Sequence, residues 1–391
     1  MPQFFTGLFL SILLGHLMID VLNGQRAIML AYLSVPMGLT NAVIGLITTI
    51  YAFVGALAQP VFGYIADRFG QRWVASLGLF WMCVFYALTT ATSGVISLVF
   101  LVLASLGSGA FHPAGASRAA MIGKEHFSGK PTTVTAWFFL FGQAGFFFGP
   151  ILGGGLLDRF GIAGIYGVAA LGIPLAILLA WSLRGEQRPI KASEPASRVS
   201  RQSKVVKTSL AAILALAGVA FMQSWVQSNM TTFLPKYLSD LGQSATTYGL
   251  LTALFMGGSA IGNVIGGMIS DRIGKRIVVV VSLILASVPL YLVNAAGVSI
   301  WLYVVITLSG FLTGATLSII VVMAQGIIPN SIALAAGLAM GFAFSSGALG
   351  TLATGPLADA WGFAPVFQLT ALISLIGGVC GLGLKEAPAT T

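Results

Sequence analysis

The sequence predicts an all-α membrane protein, with twelve transmembrane helices in two pseudo-symmetric six-helix bundles. Three observations carry this expectation. Of 391 residues, 57% are hydrophobic and only 7% charged, against about 25% charged in a typical soluble domain. Apolar runs recur twelve times along the chain, and each can supply the ~20 residues that cross a bilayer as a helix. A charged, glycine-containing element also occurs twice, at an offset of 204 residues. So little polar surface cannot coat a globule of this size, which excludes a soluble enzyme and a disordered chain.

The spans lie near 5–33, 41–66, 73–93, 96–122, 131–157, 162–183, 209–238, 245–270, 277–297, 300–328, 333–358 and 363–384. The first is too long for a cleaved signal peptide and has no basic segment before it, so it is expected to remain as a helix. Between the sixth and seventh spans, residues 184–208 carry Pro189, Pro195 and four serines with almost no hydrophobic period. This stretch reads as a flexible linker between domains at 1–183 and 209–391. Its seven basic residues against Glu186 and Glu194 supply +5 of the net +9. A basic loop beside membrane spans is a cytoplasmic, lipid-facing feature, so lipid and not nucleic acid is the expected partner. With the N-terminus inside, fifteen Lys and Arg fall on one side and only Arg159 and Lys236 on the other. That asymmetry predicts a multi-pass protein of the plasma (inner) membrane with both termini cytoplasmic.

Residues 63–72 read GYIADRFGQR and residues 267–276 read GMISDRIGKR. Gly63, Asp67, Arg68, Gly70 and Arg72 match Gly267, Asp271, Arg272, Gly274 and Arg276, and Gly45 matches Gly249 at the same offset. A parallel repeat of six-helix halves is an architecture of secondary transporters. The glycines permit a tight turn, the aspartates can cap a neighbouring helix, and the arginines can anchor at lipid phosphates. A plain positive-inside loop is the competing reading. In the fifth span, Gly145, Gly149, Pro150, Gly153 and Gly154 place small residues about one turn apart. They let two helices approach closely, and Pro150 permits a bend.

The duplicated element resembles the loop signature of the major facilitator superfamily. The resemblance implies that superfamily's fold, with these loops as latches between the halves in one access state. The fifth-span pattern is similar to the G-x-x-x-G-P-x-x-G-G motif of its proton-driven antiporters, with Ala136 where the pattern has a further glycine. Ordinary helix packing is the alternative. A narrower likeness comes from GHLMIDVLNG (15–24), QPVFGYIADRFG (59–70) and SGAFHPAGASR (108–118), which resemble the fosmidomycin-resistance type of exporter. That type commonly has Glu after His-Pro; here the residue is Ala114, so a second carboxylate for a coupling proton is missing.

Few ionisable groups remain at membrane depth: His16, Asp20 and Arg26 in the first span, His112 and Arg118 in the fourth. Each costs roughly 2.5–3.5 kcal/mol on insertion scales unless paired or wet. His16, Asp20 and Asn23 share one helix face by their spacing. The resemblance implies that the first, fourth, seventh and tenth spans line a cavity, which puts His112 opposite Asp20. Asp20 is therefore expected to carry a coupling proton, with His112 and His16 as titrating partners; a static ion pair is the alternative. Arg26 and Arg118 are candidates for binding an anionic or zwitterionic substrate, though Arg118 also reads as a side chain snorkelling to headgroups.

The seventh span offers Gln223, Trp225, Gln227 and Asn229, with Ser224 where the offset places Asp20. These residues and Gln143 are candidates for neutral substrate recognition. Gln143, Asn263 and Gln325 read equally well as partners of nearby backbone. Cys83 and Cys380 sit in apolar runs as inert packing residues. No disulfide framework, metal site or cofactor is expected, and the protein is expected to be a monomer.

No phosphate-binding glycine loop with its lysine appears, so ATP drive is not expected. The leading expectation is a secondary active transporter working by alternating access as a drug/proton antiporter for efflux, with antibiotic resistance implied by the resemblance. A proton symporter importing a small organic anion is the runner-up. A non-transporting receptor or a membrane enzyme is the distant alternative: only one carboxylate lies at depth, and neither cysteine shares a span with histidine.

Overall fold

The structure, a computed structural model, describes residues 7–126, 131–184, 210–327 and 332–385. Of the expected linker, residues 185–208 lie outside the described residues. Among the described residues there are thirteen α-helices and no strand. They are α1 (Gly7–Met37), α2 (Asn41–Phe69), α3 (Gln71–Ala91), α4 (Gly94–His126), α5 (Pro131–Phe160), α6 (Ile162–Ser182) and α7 (Leu210–Asp240). There follow α8 (Ala245–Ile273), α9 (Lys275–Ala295), α10 (Ile300–Gly314), α11 (Leu317–Ile327), α12 (Ile332–Trp361) and α13 (Phe363–Gly381). Eleven spans among the described residues are long and apolar enough to cross a membrane. The apolar runs form helices because only a helix satisfies every backbone N–H and C=O within its own segment in hydrocarbon.

The tenth expected span, 300–328, is interrupted, with α10 ending at Gly314 and α11 beginning at Leu317. Asn263 Oδ1 accepts from Ser318 N at 2.8 Å, which satisfies a first-turn amide of α11 that the break would otherwise orphan. Of the two roles the sequence leaves open for Asn263, the backbone one is the one seen.

Chain contacts divide the protein into two compact units: Met1–Gly38, Ile50–Ser200 and Gly242–Gly249, and Leu39–Thr49, Arg201–Leu241 and Leu250–Thr391. In the first, α1 packs on α5 and α6, and α3 on α4 and α6. In the second, α7 packs on α12 and α13, and α9 on α10 and α13. The same pattern of neighbours thus occurs twice.

The repeat extends to helix capping. In the first unit, Asp158 near the end of α5 accepts from Ala245 N and Thr246 N of α8, each at 2.8 Å. One turn earlier, Gly154 faces Ala245 O so closely that a Cβ would collide with it, and Gly249 faces Pro150 O in the same way. In the second unit, Asp359 of α12 accepts from Asn41 N and Ala42 N of α2, each at 2.8 Å. Gly355 lies on Asn41 O and Gly45 on Thr351 O. The match of Gly45 with Gly249 therefore has a steric cause: each lies against a carbonyl of the helix that caps its own.

The duplicated loops turn at Gly70 (φ 94°) and Gly274 (φ 102°), a left-handed region that favours glycine. Neither α3 nor α9, which follow them, has a side-chain cap at its N-terminus. Arg72 Nε donates to Ala180 O in the last turn of α6 at 2.9 Å, and its guanidinium lies 4.4 Å from the centre of the Trp73 ring. Arg68 donates to the Tyr64 hydroxyl. Asp271 lies 3.9 Å from Lys275.

Candidate functional site

One face of α1 presents His16, Asp20 and Asn23 at helical spacing, and the neighbouring helices complete a cluster around them. Asp20 is buried, its side chain 3% exposed. Its Oδ2 lies 3.1 Å from His16 Nε2 and its Oδ1 lies 3.5 Å from His112 Nε2 of α4. Asn23 donates from Nδ2 to Asp20 Oδ1 at 2.9 Å and to Ser108 Oγ at 3.1 Å. The Tyr51 hydroxyl of α2 donates to Asn23 Oδ1 at 2.6 Å. Arg26 lies 4.4 Å from the centre of the Tyr51 ring, a cation–π contact. The chain of contacts thus runs from the acid through an amide and a phenol to a guanidinium.

The outer nitrogens settle the hydrogen positions. His16 Nδ1 lies 2.7 Å from Phe138 O, and His112 Nδ1 lies 2.8 Å from Ser108 O. A carbonyl oxygen only accepts, so each Nδ1 carries a hydrogen. Each Nε2 then turns toward Asp20 either a lone pair or a second proton. Two lone pairs facing an ionised carboxylate repel it, so the arrangement calls for a positive species between ring and carboxylate. His112 is the accessible member, 26% exposed against 2% for His16.

The site fits because α5 gives way to α1. A Cβ on Gly142 would lie 2.6 Å from His16 Nε2 and 2.7 Å from Asp20 Oδ2. One on Gly145 would lie 2.5 Å from Leu17 O, and one on Gly149 would meet Val21 O at the same distance. The His16 ring stacks on Phe138 with centroids 3.8 Å apart. Gly145, Gly149 and Gly153 of the motif therefore face α1, whereas Gly154 faces α8. Gly142 extends the α1-facing series by three residues, a continuation legible in the sequence but missed there. Nothing in the sequence marks Tyr51, Ser108 or Phe138.

Gln25 was also missed. It is fully buried on α1 beside Gly149 and Gly153, and among the described residues neither atom of its amide group has a hydrogen-bond partner. Arg118 is 3% exposed, buried within the protein rather than extended along its surface as a snorkelling side chain would be.

The α7 candidates lie in the second unit, bonded to neighbouring helices. Gln223 Nε2 donates to Thr313 O at 3.4 Å. Gln227 donates to Ser259 Oγ at 2.6 Å and accepts from Thr313 Oγ1 at 3.3 Å. Trp225 Nε1 donates to Thr354 Oγ1 at 3.0 Å, in space left by Gly350. Asn229 donates to Thr370 Oγ1 at 3.3 Å. Gln143 is exposed.

A duplicated, all-helical fold whose described residues include eleven spans long and apolar enough to cross a membrane defines a polytopic membrane protein. The chain belongs to the Major Facilitator Superfamily, whose profile matches residues 4–242 and 213–391. It is 28% identical over 378 residues to the Fosmidomycin resistance protein of Escherichia coli (strain K12), covering 95% of this chain and 91% of that one. It is 29% identical over 371 residues to the uncharacterized MFS-type transporter YfnC of Bacillus subtilis (strain 168), covering 93% and 89%. Among solved structures, it is similar to a bacterial homologue of the human lysosomal transporter Spinster in an inward-facing, occupied conformation. The TM-score there is 0.75 at 16% identity, over 96% of this chain and 93% of that one, a likeness of fold.

Proposed function

We propose that this transporter exports a small molecule in exchange for protons by alternating access, with Asp20, His112 and His16 as the proton-coupling group. One observation carries the reading: two imidazoles, each with its Nδ1 hydrogen held by a backbone carbonyl, aim Nε2 at one buried carboxylate. Imidazole is the side chain that ordinarily changes charge near neutral pH. The partly exposed His112 gives water a route to the pair, so a proton can be taken up and released as access changes. Arg26, joined to the acid through Asn23 and Tyr51, is the proposed anchor for an anionic substrate group, with Arg118 as a second cation. Gln223, Trp225, Gln227, Asn229 and Gln143 would supply neutral contacts. Efflux rather than proton symport is favoured by the α5 glycine–proline motif and by the relative named for fosmidomycin resistance.

The proposed setting is a monomer in the plasma (inner) membrane, both termini cytoplasmic, with domains at 1–183 and 209–391 joined by the basic linker. The test is reconstitution in liposomes with an imposed pH gradient, using fosmidomycin, a phosphonate anion, as the first probe. Proton movement opposite to the substrate, lost in Asp20→Asn, is the expected result. Co-movement would establish symport. Substrate flux indifferent to both the gradient and Asp20→Asn would overturn proton coupling.

A further inference from the structure

We infer that His16, Asp20 and His112 also form a binding site for a borderline divalent cation, Zn²⁺ being the type case. The site shares its residues with the proton group proposed above. Its effect on transport rests on that reading, but metal binding itself does not.

Geometry comes first. One ligand atom from each residue lies within 4.8 Å of the others, and the two ring–carboxylate separations are 3.1 and 3.5 Å. Bonds of about 2.0–2.1 Å in a tetrahedral zinc site put neighbouring ligand atoms about 3.3–3.4 Å apart. The two ring–carboxylate separations are close to that value, each to a different oxygen of Asp20, and the three donors, within 4.8 Å of one another, need to draw together by side-chain rotation to hold one ion.

The surroundings are those of ligands and not merely of buried histidines. Ligating histidines characteristically donate the other ring N–H to a carbonyl or carboxylate, which fixes the tautomer and aims the lone pair. Here Phe138 O and Ser108 O receive those hydrogens, and Asn23 orients the carboxylate. Two imidazoles with one carboxylate suit Zn²⁺, Co²⁺ or Ni²⁺, whereas Mg²⁺ and Ca²⁺ favour oxygen-only shells. The partly exposed side of His112 is the way in, and a water or substrate oxygen would complete the shell from there. The helices around the cluster contribute Arg26 (α1), Tyr51 (α2), Tyr86 (α3) and Arg118 (α4) as further ionisable groups. A bound dication takes the place of the protons between rings and carboxylate, so it enters as they leave.

The sequence pointed away from a metal because its two cysteines lack ligand spacing; the ligand set found here contains no cysteine.

The test uses the full chain in detergent, purified through a histidine-free tag with His126→Gln as background, leaving His16 and His112 as its only imidazoles. Zn²⁺ is titrated calorimetrically in two buffers of different ionisation enthalpy. One saturable site per chain with proton release is expected, with at least a tenfold loss of affinity in Asp20→Asn and in His112→Gln and no binding of Mg²⁺. Co²⁺ added to the background protein should give a tetrahedral absorption band, a readout that survives if a variant folds poorly. Absence of a one-to-one site, or affinity in both variants equal to that of the background protein, overturns the metal site. Proton movement by the same purified protein reconstituted in liposomes, measured with Zn²⁺ withheld, keeps the readings apart: coupled flux without Zn²⁺ binding removes only the metal site, and Zn²⁺ binding without coupled flux removes only proton coupling.

Discussion

Asp20 Oδ1 and His112 Nε2 stand 3.5 Å apart, although 92 positions separate them in the chain. The second imidazole, His16, reaches the other carboxylate oxygen from one turn away on the same helix. The two histidines differ in exposure, and that difference makes them separable. His112→Gln should leave folding intact and flatten the pH dependence of transport between pH 5 and 8, where imidazole ordinarily titrates. His16→Gln removes a ring stacked on Phe138 and should lower thermal stability. Proton-flux profiles and melting curves of the two variants check this, and interchangeable behaviour would contradict it.

Gly142 has no room for a side chain. Gly142→Ala drives a methyl into His16 and Asp20, an overpacking that typically costs about 1–3 kcal/mol. It should depress the melting temperature and abolish substrate-evoked proton movement. Gly155, where an added methyl would meet nothing within 4 Å, is the control: Gly155→Ala should be neutral.

Gln25 makes the opposite prediction. A buried amide without partners costs about 1–3 kcal/mol, and an apolar side chain of the same shape removes that cost. Gln25→Met should therefore raise the melting temperature in detergent. A fall would show that the amide is bonded in the protein in solution.

The paired caps predict a local effect. Removing a carboxylate that caps a helix costs about 0.5–2 kcal/mol. Asp158→Ala should speed hydrogen exchange at the Ala245 and Thr246 amides of α8, and Asp359→Ala should do so at Asn41 and Ala42 of α2. Each variant should leave the other helix unchanged, and exchange mass spectrometry on peptides from both N-terminal turns reads the result.

Much of the fold was legible because hydrocarbon imposes one rule on every residue of a span. Length and hydropathy therefore mark the helices, although the break between α10 and α11 was not marked, since it depends on Asn263 reaching across from α8. The repeat was legible at the loops, where glycine and charge are constrained locally. The function of Gly45 and Gly249 was not, because each is explained only by a carbonyl on another helix.

By itself the sequence determined the all-helical membrane character, the duplication and the rarity of charge at depth, since each follows from composition or from spacing along one chain. It also marked His16, Asp20 and Asn23 as one face, because a helix is periodic. The family resemblance already set His112 opposite that face; only the tertiary structure decided that Tyr51, Ser108 and the carbonyl of Phe138 close around it, and that Gly142 clears the space. Those relations hold between helices, and the bilayer favours burying an apolar helix without specifying which neighbour it packs against.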